Sequence, residues 1–325
     1  MSPSKVPVIA LCLAVLALAG QAHAQQASSG PSPEIAAQIR ALGPVVNVPA
    51  VNKLYEPLLA RQPTANVTRT NDIAYGPDER HKLDTYKPEQ ASSERRPAVI
   101  FFHGGGFIRG DKAERSNIGY FLARNGVVAI LSSYRLAPKN PWPAGPEDVV
   151  AALNWVKANA DALGIDPSRT FLMGESAGAA HVASAVTMPR FRPADGLGIA
   201  GAVLLSGVYD ADLEFRAKKQ LGLPTPDPRN DAYFGTDPER LGAMSIVLSL
   251  KAPLPPILLA YAELDPPQMQ IQAGEMFGAL CRAQNTCPDL LWMKAHNHGS
   301  AGSSFNTEDD TVSRPVLDFI LSKQR

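Results

Sequence analysis

The sequence predicts an α/β fold: a mostly parallel central sheet with helices on both faces and a small cap. Two observations carry this. Apolar runs of strand length alternate with stretches of helix length between residues 98 and 323, the pattern of parallel strands joined by crossover helices. The runs are continuously apolar, as expected for strands covered on both faces. Ligands of such sheets sit outside the carboxyl ends of the strands. The chemistry is therefore expected in the loops after Phe102, Met173, Ala262 and Met293.

Residues 1–24 read as an export segment. Lys5 supplies the positive start, residues 6–19 form a near-continuous apolar run, and Ala22-His23-Ala24 gives a small-x-small cleavage pattern. A run of about 14 residues is short for a bilayer span. Cys12 lies inside it without a lipid-attachment pattern. A secreted or periplasmic protein with no membrane span in the mature chain is expected. Residues 25–70 are polar and Pro-rich and read as an N-terminal arm or cap, with short helices at 32–41 and 51–61. Residues 71–325 read as the main domain.

From residue 97 the pattern is regular. Residues 98–102 are a buried strand ended by three Gly; 115–125 a helix closed by Gly126; 127–131 the next strand. A helix at 147–160 follows Pro146. A strand at 170–173 and a helix at 177–187 come next, then strands at 201–205 and 257–262. A helix at 268–280, a strand at 290–293 and a helix at 310–323 close the chain. The irregular, Pro-rich stretch 209–256 reads as an insertion over the site.

The chain has 325 residues, with 31 Lys and Arg against 31 Asp and Glu. That balance argues against a nucleic-acid partner, which calls for surplus positive charge. Removal of residues 1–24 leaves Cys281 and Cys287 as the only cysteines. In an oxidising compartment the default for such a pair is a local disulfide. So short a loop limits its contribution to about 2 kcal/mol.

Gly174-Glu175-Ser176-Ala177-Gly178 joins an expected strand to an expected helix. This is the strand–turn–helix setting in which a serine nucleophile is held above a sheet. Flanking glycines let strand and helix approach without Cβ clashes, and the helix N-terminus favours negative charge on the serine oxygen. His103-Gly104-Gly105-Gly106-Phe107 follows another strand. Its backbone N–H groups can form a pocket for an oxyanion. A phosphate loop is the rival reading, but no Lys-Ser or Lys-Thr pair follows.

A serine nucleophile needs a histidine base and an orienting acid, in the chain order Ser, acid, His on such a sheet. Downstream of Ser176 the histidines are His181, His296 and His298. His181 lies on the serine's own helix and reads as a packing residue. His296 and His298 both follow the last expected strand. A metal pair is disfavoured there, since no carboxylate or Cys stands at ligand spacing. For the acid, Glu263 and Asp265 share one loop, with Asp210 after the preceding strand as a weaker candidate. Spacing leaves these open.

Together these motifs resemble the α/β-hydrolase fold, in the branch of carboxylesterases related to hormone-sensitive lipase. His103-Gly-Gly-Gly106, Gly174-Glu-Ser-Ala-Gly178 and Tyr134-Arg-Leu-Ala-Pro138 carry the resemblance, from about Tyr75 to the C-terminus. Leu83-Asp84-Thr85-Tyr86 is more similar to the related feruloyl and acetyl-xylan esterases and arylformamidases. The resemblance implies Asp265 as the acid, from Glu263-Leu-Asp265-Pro266, and His298 as the base, from His298-Gly299-Ser300. It implies oxyanion N–H groups at Gly105, Gly106 and Ala177, a small-molecule ester substrate, and no cofactor or metal. Glu175 departs from the Asp that many members carry before the serine.

Overall fold

The computed structural model describes residues 30–221 and 228–322. The export segment read at 1–24, with Cys12, lies outside the described residues.

An arm of two helices comes first: α1 (Pro33–Leu42) and α2 (Val48–Leu59). Ser32 and Asn47 cap them, each side-chain oxygen accepting a backbone N–H three residues on, from Ile35 and Ala50. Ile39, Val51 and Tyr55 form a small buried cluster between them.

Eight strands make one sheet: β1 (Val67–Ala74), β2 (Lys82–Pro88), β3 (Arg96–Phe102), β4 (Val128–Ser132), β5 (Ile165–Glu175), β6 (Gly201–Leu205), β7 (Ile257–Leu264) and β8 (Asp289–Asn297). Their order is β1-β2-β4-β3-β5-β6-β7-β8. Every pairing from β4 to β8 is parallel; β2 alone runs against the rest. β1 and β2 precede the regular pattern read from residue 97, and polar composition hides them. β1 is a largely exposed edge strand. β2 buries Asp84, whose carboxylate takes Arg69 Nη2 at 2.9 Å and the N–H of Asp72 at 2.9 Å, with Lys112 Nζ at 3.1 Å. A buried carboxylate is tolerable only with such partners. They come from other elements, so no local pattern announces them.

The remaining helices are α3 (Ser116–Arg124), α4 (Ala144–Ala158), α5 (Ala160–Leu163), α6 (Ala177–Thr187), α7 (Ala211–Leu221), α8 (Pro228–Phe234), α9 (Pro238–Met244), α10 (Ile246–Ser249), α11 (Pro267–Gln284), α12 (Ser300–Ser303) and α13 (Ser313–Ser322). Ala98, Ile100 and Phe102 of β3 join a core with α4, α6 and α11 on one face. Val99 and Phe101 join α3 and α13 on the other. Both faces are therefore covered, which is why β3 is apolar from Pro97 to Phe102.

The stretch 209–256 is not irregular: it holds α7 to α10. Pro228, Gly235 and Pro238 cut it into short helices, too brief to show a 3.6-residue period. Cys281, on α11, and Cys287 form a disulfide with their Cα atoms 4.2 Å apart. It ties the helix end to the segment entering β8. Among the described residues no helix is long and apolar enough to cross a membrane.

Candidate active site

β5 delivers Ser176 at the centre of the sheet, and α6 starts at the next residue. Ser176 has φ 55° and ψ −118°, a strained conformation for a residue with a Cβ. The surroundings enforce it. Ser176 N–H donates to Leu205 O at 2.8 Å, tying the turn to β6. A Cβ on Gly174 would overlap the Gly178 carbonyl, and one on Gly178 would overlap the Phe102 carbonyl. Only glycine permits strand, turn and helix to come this close.

Glu175, within the same turn, is buried and ion-paired. Arg115 Nε and Nη2 reach its two carboxylate oxygens at 2.7 and 2.8 Å. Although burial alone lowers it, the pKa of Arg115 is raised, because Glu175 favours the charged form.

His298 Nε2 lies 2.8 Å from Ser176 Oγ, and His298 Nδ1 lies 2.8 Å from Asp265 Oδ1. Asp265 is fully buried. Its Oδ2 accepts Ser206 Oγ–H at 2.6 Å and Ala262 N–H at 2.7 Å. Ser206 is a partner that sequence reading missed. Its one signal is its place at the carboxyl end of β6, where functional groups collect.

The other candidates go elsewhere. Glu263 Oε2 accepts Ala295 N–H at 2.7 Å. Asp210 Oδ1 accepts the N–H groups of Asp212 and Leu213 at the start of α7, and Ser245 Oγ–H at 2.7 Å. His296 Nδ1 lies 3.0 Å from Ser300 Oγ and Nε2 2.9 Å from Thr311 Oγ1. β8 runs further than the sequence suggests, to Asn297, so His296 sits on the strand rather than beyond it.

The glycine loop lies directly over the serine: a Cβ on Gly104 would stand 3.2 Å from Ser176 Cβ. Gly105 and Gly106 have φ 131° and 59°, left-handed conformations that side chains rarely adopt. Tyr134 braces the loop by stacking on His103 with ring centroids 4.4 Å apart, and its hydroxyl donates to His103 O at 2.9 Å. Burial pushes the His103 pKa down to about 4. Burial, then the nearby His103, pushes His181 down to about 3. Both rings are therefore neutral at ordinary pH. His181 packs among Phe107, Tyr134 and Tyr233.

Ser176 and His298 open into a cavity of about 720 Å³. The arm supplies Pro44, Val45 and Val46 to its wall, and the insertion supplies Glu214, Arg229 and Asn230. The cavity is of a size that takes small molecules. Among the described residues no three His, Cys, Asp or Glu side chains gather as a metal site.

A family model described as the alpha/beta hydrolase fold matches residues 99–299. The chain is 43% identical over 83 residues to carboxylesterase NlhH of Mycobacterium tuberculosis, covering 25% of this chain and 26% of that one. It is 27% identical over 214 residues to tuliposide A-converting enzyme 2 of Tulipa gesneriana, covering 60% of this chain and 53% of that one. The matched stretches thus span about a quarter and about half of these relatives. Among solved structures, a bacterial heroin esterase superposes with a TM-score of 0.71 at 26% identity, covering 90% of this chain and 98% of that one. Esterase B of Lactobacillus rhamnosis gives a TM-score of 0.70 at 18% identity over 89% of this chain and 95% of that one, a likeness of fold. With its family-model match spanning most of the sheet, the chain belongs to the α/β-hydrolase fold family.

Proposed function

We infer that the protein is a secreted serine carboxylesterase that hydrolyses short-chain or aryl carboxylic esters through an acyl-enzyme on Ser176. One observation carries the reading: His298 stands 2.8 Å from both Ser176 Oγ and Asp265 Oδ1, on opposite ring nitrogens, at the cavity. The carboxylesterase among the relatives and the esterases among the structural neighbours support the reaction class. Secretion rests on the export segment at residues 1–24. The arm helices α1 and α2, with the loop between them, and the insertion helices α7 to α10 act as the cap over the hydrolase domain, while the end of the stretch 25–70 enters the sheet as β1.

In the mechanism, His298 Nε2 takes the proton from Ser176 Oγ as Oγ bonds to the ester carbonyl carbon. The N–H groups of Gly105, Gly106 and Ala177 hold the oxyanion, each worth about 3 kcal/mol in the transition state. The carbon–oxygen bond to the alcohol then breaks, and His298 returns the proton to the leaving oxygen. Water attacks the acyl carbon, giving its proton to His298, and the carboxylic acid leaves as Ser176 regains its hydrogen. Asp265 fixes the tautomer, keeping Nδ1–H toward itself and Nε2 free to accept. Ser206 and Ala262 N–H hold Asp265 in place.

The test has two parts. A fluorophosphonate should label the folded protein at one residue, mapped by mass spectrometry to Ser176. A series of p-nitrophenyl esters of rising chain length, run beside feruloyl and acetyl-sugar esters, aryl amides and lactones, should give its highest kcat/KM on a short-chain or aryl ester. Labelling elsewhere, or a preference for amides or lactones, contradicts the reading.

A further inference from the structure

His296 is the histidine that spacing does not separate from His298. Its ring is fully buried and takes no part in the contacts of Ser176. Thr311 donates its one hydroxyl proton to Asp309 Oδ1 at 2.6 Å. The 2.9 Å contact between Thr311 Oγ1 and His296 Nε2 therefore needs a proton on Nε2. Asp309 Oδ2 lies 3.4 Å from the same nitrogen. On the other side of the ring, Ser300 Oγ is 3.0 Å from Nδ1 and accepts Asn297 N–H at 2.9 Å. Asn297 Oδ1 accepts the N–H groups of Gly299 at 3.3 Å and Ser300 at 3.2 Å. These bonds close the turn of residues 297–300 around His298.

The same cluster meets the N-terminal arm. Tyr55 on α2 donates its hydroxyl to Asp309 Oδ2 at 3.2 Å. Asn52 Oδ1 accepts Ser303 Oγ–H at 3.1 Å. A Cβ on Gly299, the residue after His298, would stand 3.3 Å from Val51 Cβ. The arm thus presses on the segment that presents His298.

We propose that His296 is a positioning residue: with Asp309 and Ser300 it fixes the 297–300 turn so that His298 reaches Ser176 and Asp265 together, and Tyr55 makes that fix depend on the docked arm. The inference rests on the reading of Ser176, Asp265 and His298 as the reacting set. Its physical basis is that satisfied buried polar networks hold a geometry rigidly, while a displacement of about 1 Å at reacting groups can cost about a hundredfold in rate.

The test measures kcat and KM on p-nitrophenyl acetate per active site titrated with a fluorophosphonate, so that misfolded protein does not count. His296→Gln and Asp309→Asn should lower kcat by roughly ten- to a hundredfold with KM within about twofold. Tyr55→Phe removes one hydroxyl and keeps the buried ring, so it folds. It should lower kcat by roughly three- to tenfold, and its effect should largely vanish in the Asp309→Asn background, as members of one chain behave. Unchanged kcat per titrated site in the single variants overturns the proposal, as does full multiplication of the Tyr55→Phe and Asp309→Asn effects. Ser176→Ala serves as the control: if it retains turnover, the reacting set is wrong; if it is inactive and the other variants are unaffected, only the positioning role is wrong.

Discussion

The guanidinium of Arg115 holds both carboxylate oxygens of Glu175, at 2.7 and 2.8 Å, immediately before Ser176, and both side chains are buried at the wall of the cavity. The longer Glu side chain, in place of the family's frequent Asp, has a dedicated partner. Arg115→Ala should destabilise the protein by about 3–5 kcal/mol, because it strands a buried charge. Glu175→Asp should also destabilise, since a carboxylate one methylene shorter loses the two-pronged contact. The paired change Arg115→Met with Glu175→Gln should cost less than Arg115→Ala. Denaturant unfolding measures all three.

The three acids left open by spacing separate by their partners. Asp265→Asn should lower turnover by on the order of ten-thousandfold, as loss of the tautomer-fixing acid does elsewhere. Glu263→Gln keeps an acceptor for Ala295 N–H, and its kcat should stay within about threefold of wild type. Asp210→Ala removes the cap of α7. It should lower stability by about 1 kcal/mol or more while the fluorophosphonate-titrated enzyme still turns over. Steady-state kinetics beside thermal melts distinguishes the three.

Gly178 and Gly174 leave no room for a methyl group. Gly178→Ala drives Cβ into the Phe102 carbonyl, and Gly174→Ala drives it into the Gly178 carbonyl. Each should cost about 3 kcal/mol or more and move Ser176 off its contact with His298. Gly274, where an added Cβ meets nothing within 4 Å, is the matched control. Gly274→Ala, at an exposed position inside α11, should leave the activity intact and the melting temperature unchanged or slightly raised, since Ala is the better helix former.

Two buried imidazoles set an acid limit on stability. His103 and His181 have pKa values lowered to about 4 and about 3 by burial, against about 6.5 in an unfolded chain. Between those values the unfolded state binds more protons than the native state, so stability falls as pH falls. It is complete above about pH 6.5 and declines progressively down to about pH 4 for His103 and about pH 3 for His181. Asp111 and Asp309, whose pKa values are lowered, stay ionised through most of that window. Melting temperature should therefore drop from pH 7 to pH 4.5, with a shallower slope in His181→Phe. An identical slope in that variant contradicts the assignment.

The fold was legible where burial is symmetric. β3, with Ala98, Ile100 and Phe102 on one core and Val99 and Phe101 on the other, reads as one apolar run. β2 was hidden because Asp84 sits in its middle, neutralised by Arg69 and Lys112 from other elements. In the site, the Ser176 turn was legible because its glycines are local. The choice between His296 and His298 was legible in the family resemblance and not in spacing. The two are two residues apart, and Ala295 just before them has φ 63° where the β7–β8 register shifts, an irregularity that alternation along a strand does not foresee. Ser206 was invisible for a similar reason: its bond to Asp265 joins residues 59 positions apart.

The proposed reaction turns on Ser176 as the nucleophile. The most direct measurement is turnover of p-nitrophenyl acetate by purified Ser176→Ala, shown to be folded by its melting temperature. Turnover should fall by on the order of a millionfold with the melt unchanged or slightly raised. Near-wild-type turnover by the folded variant would exclude Ser176 as the nucleophile.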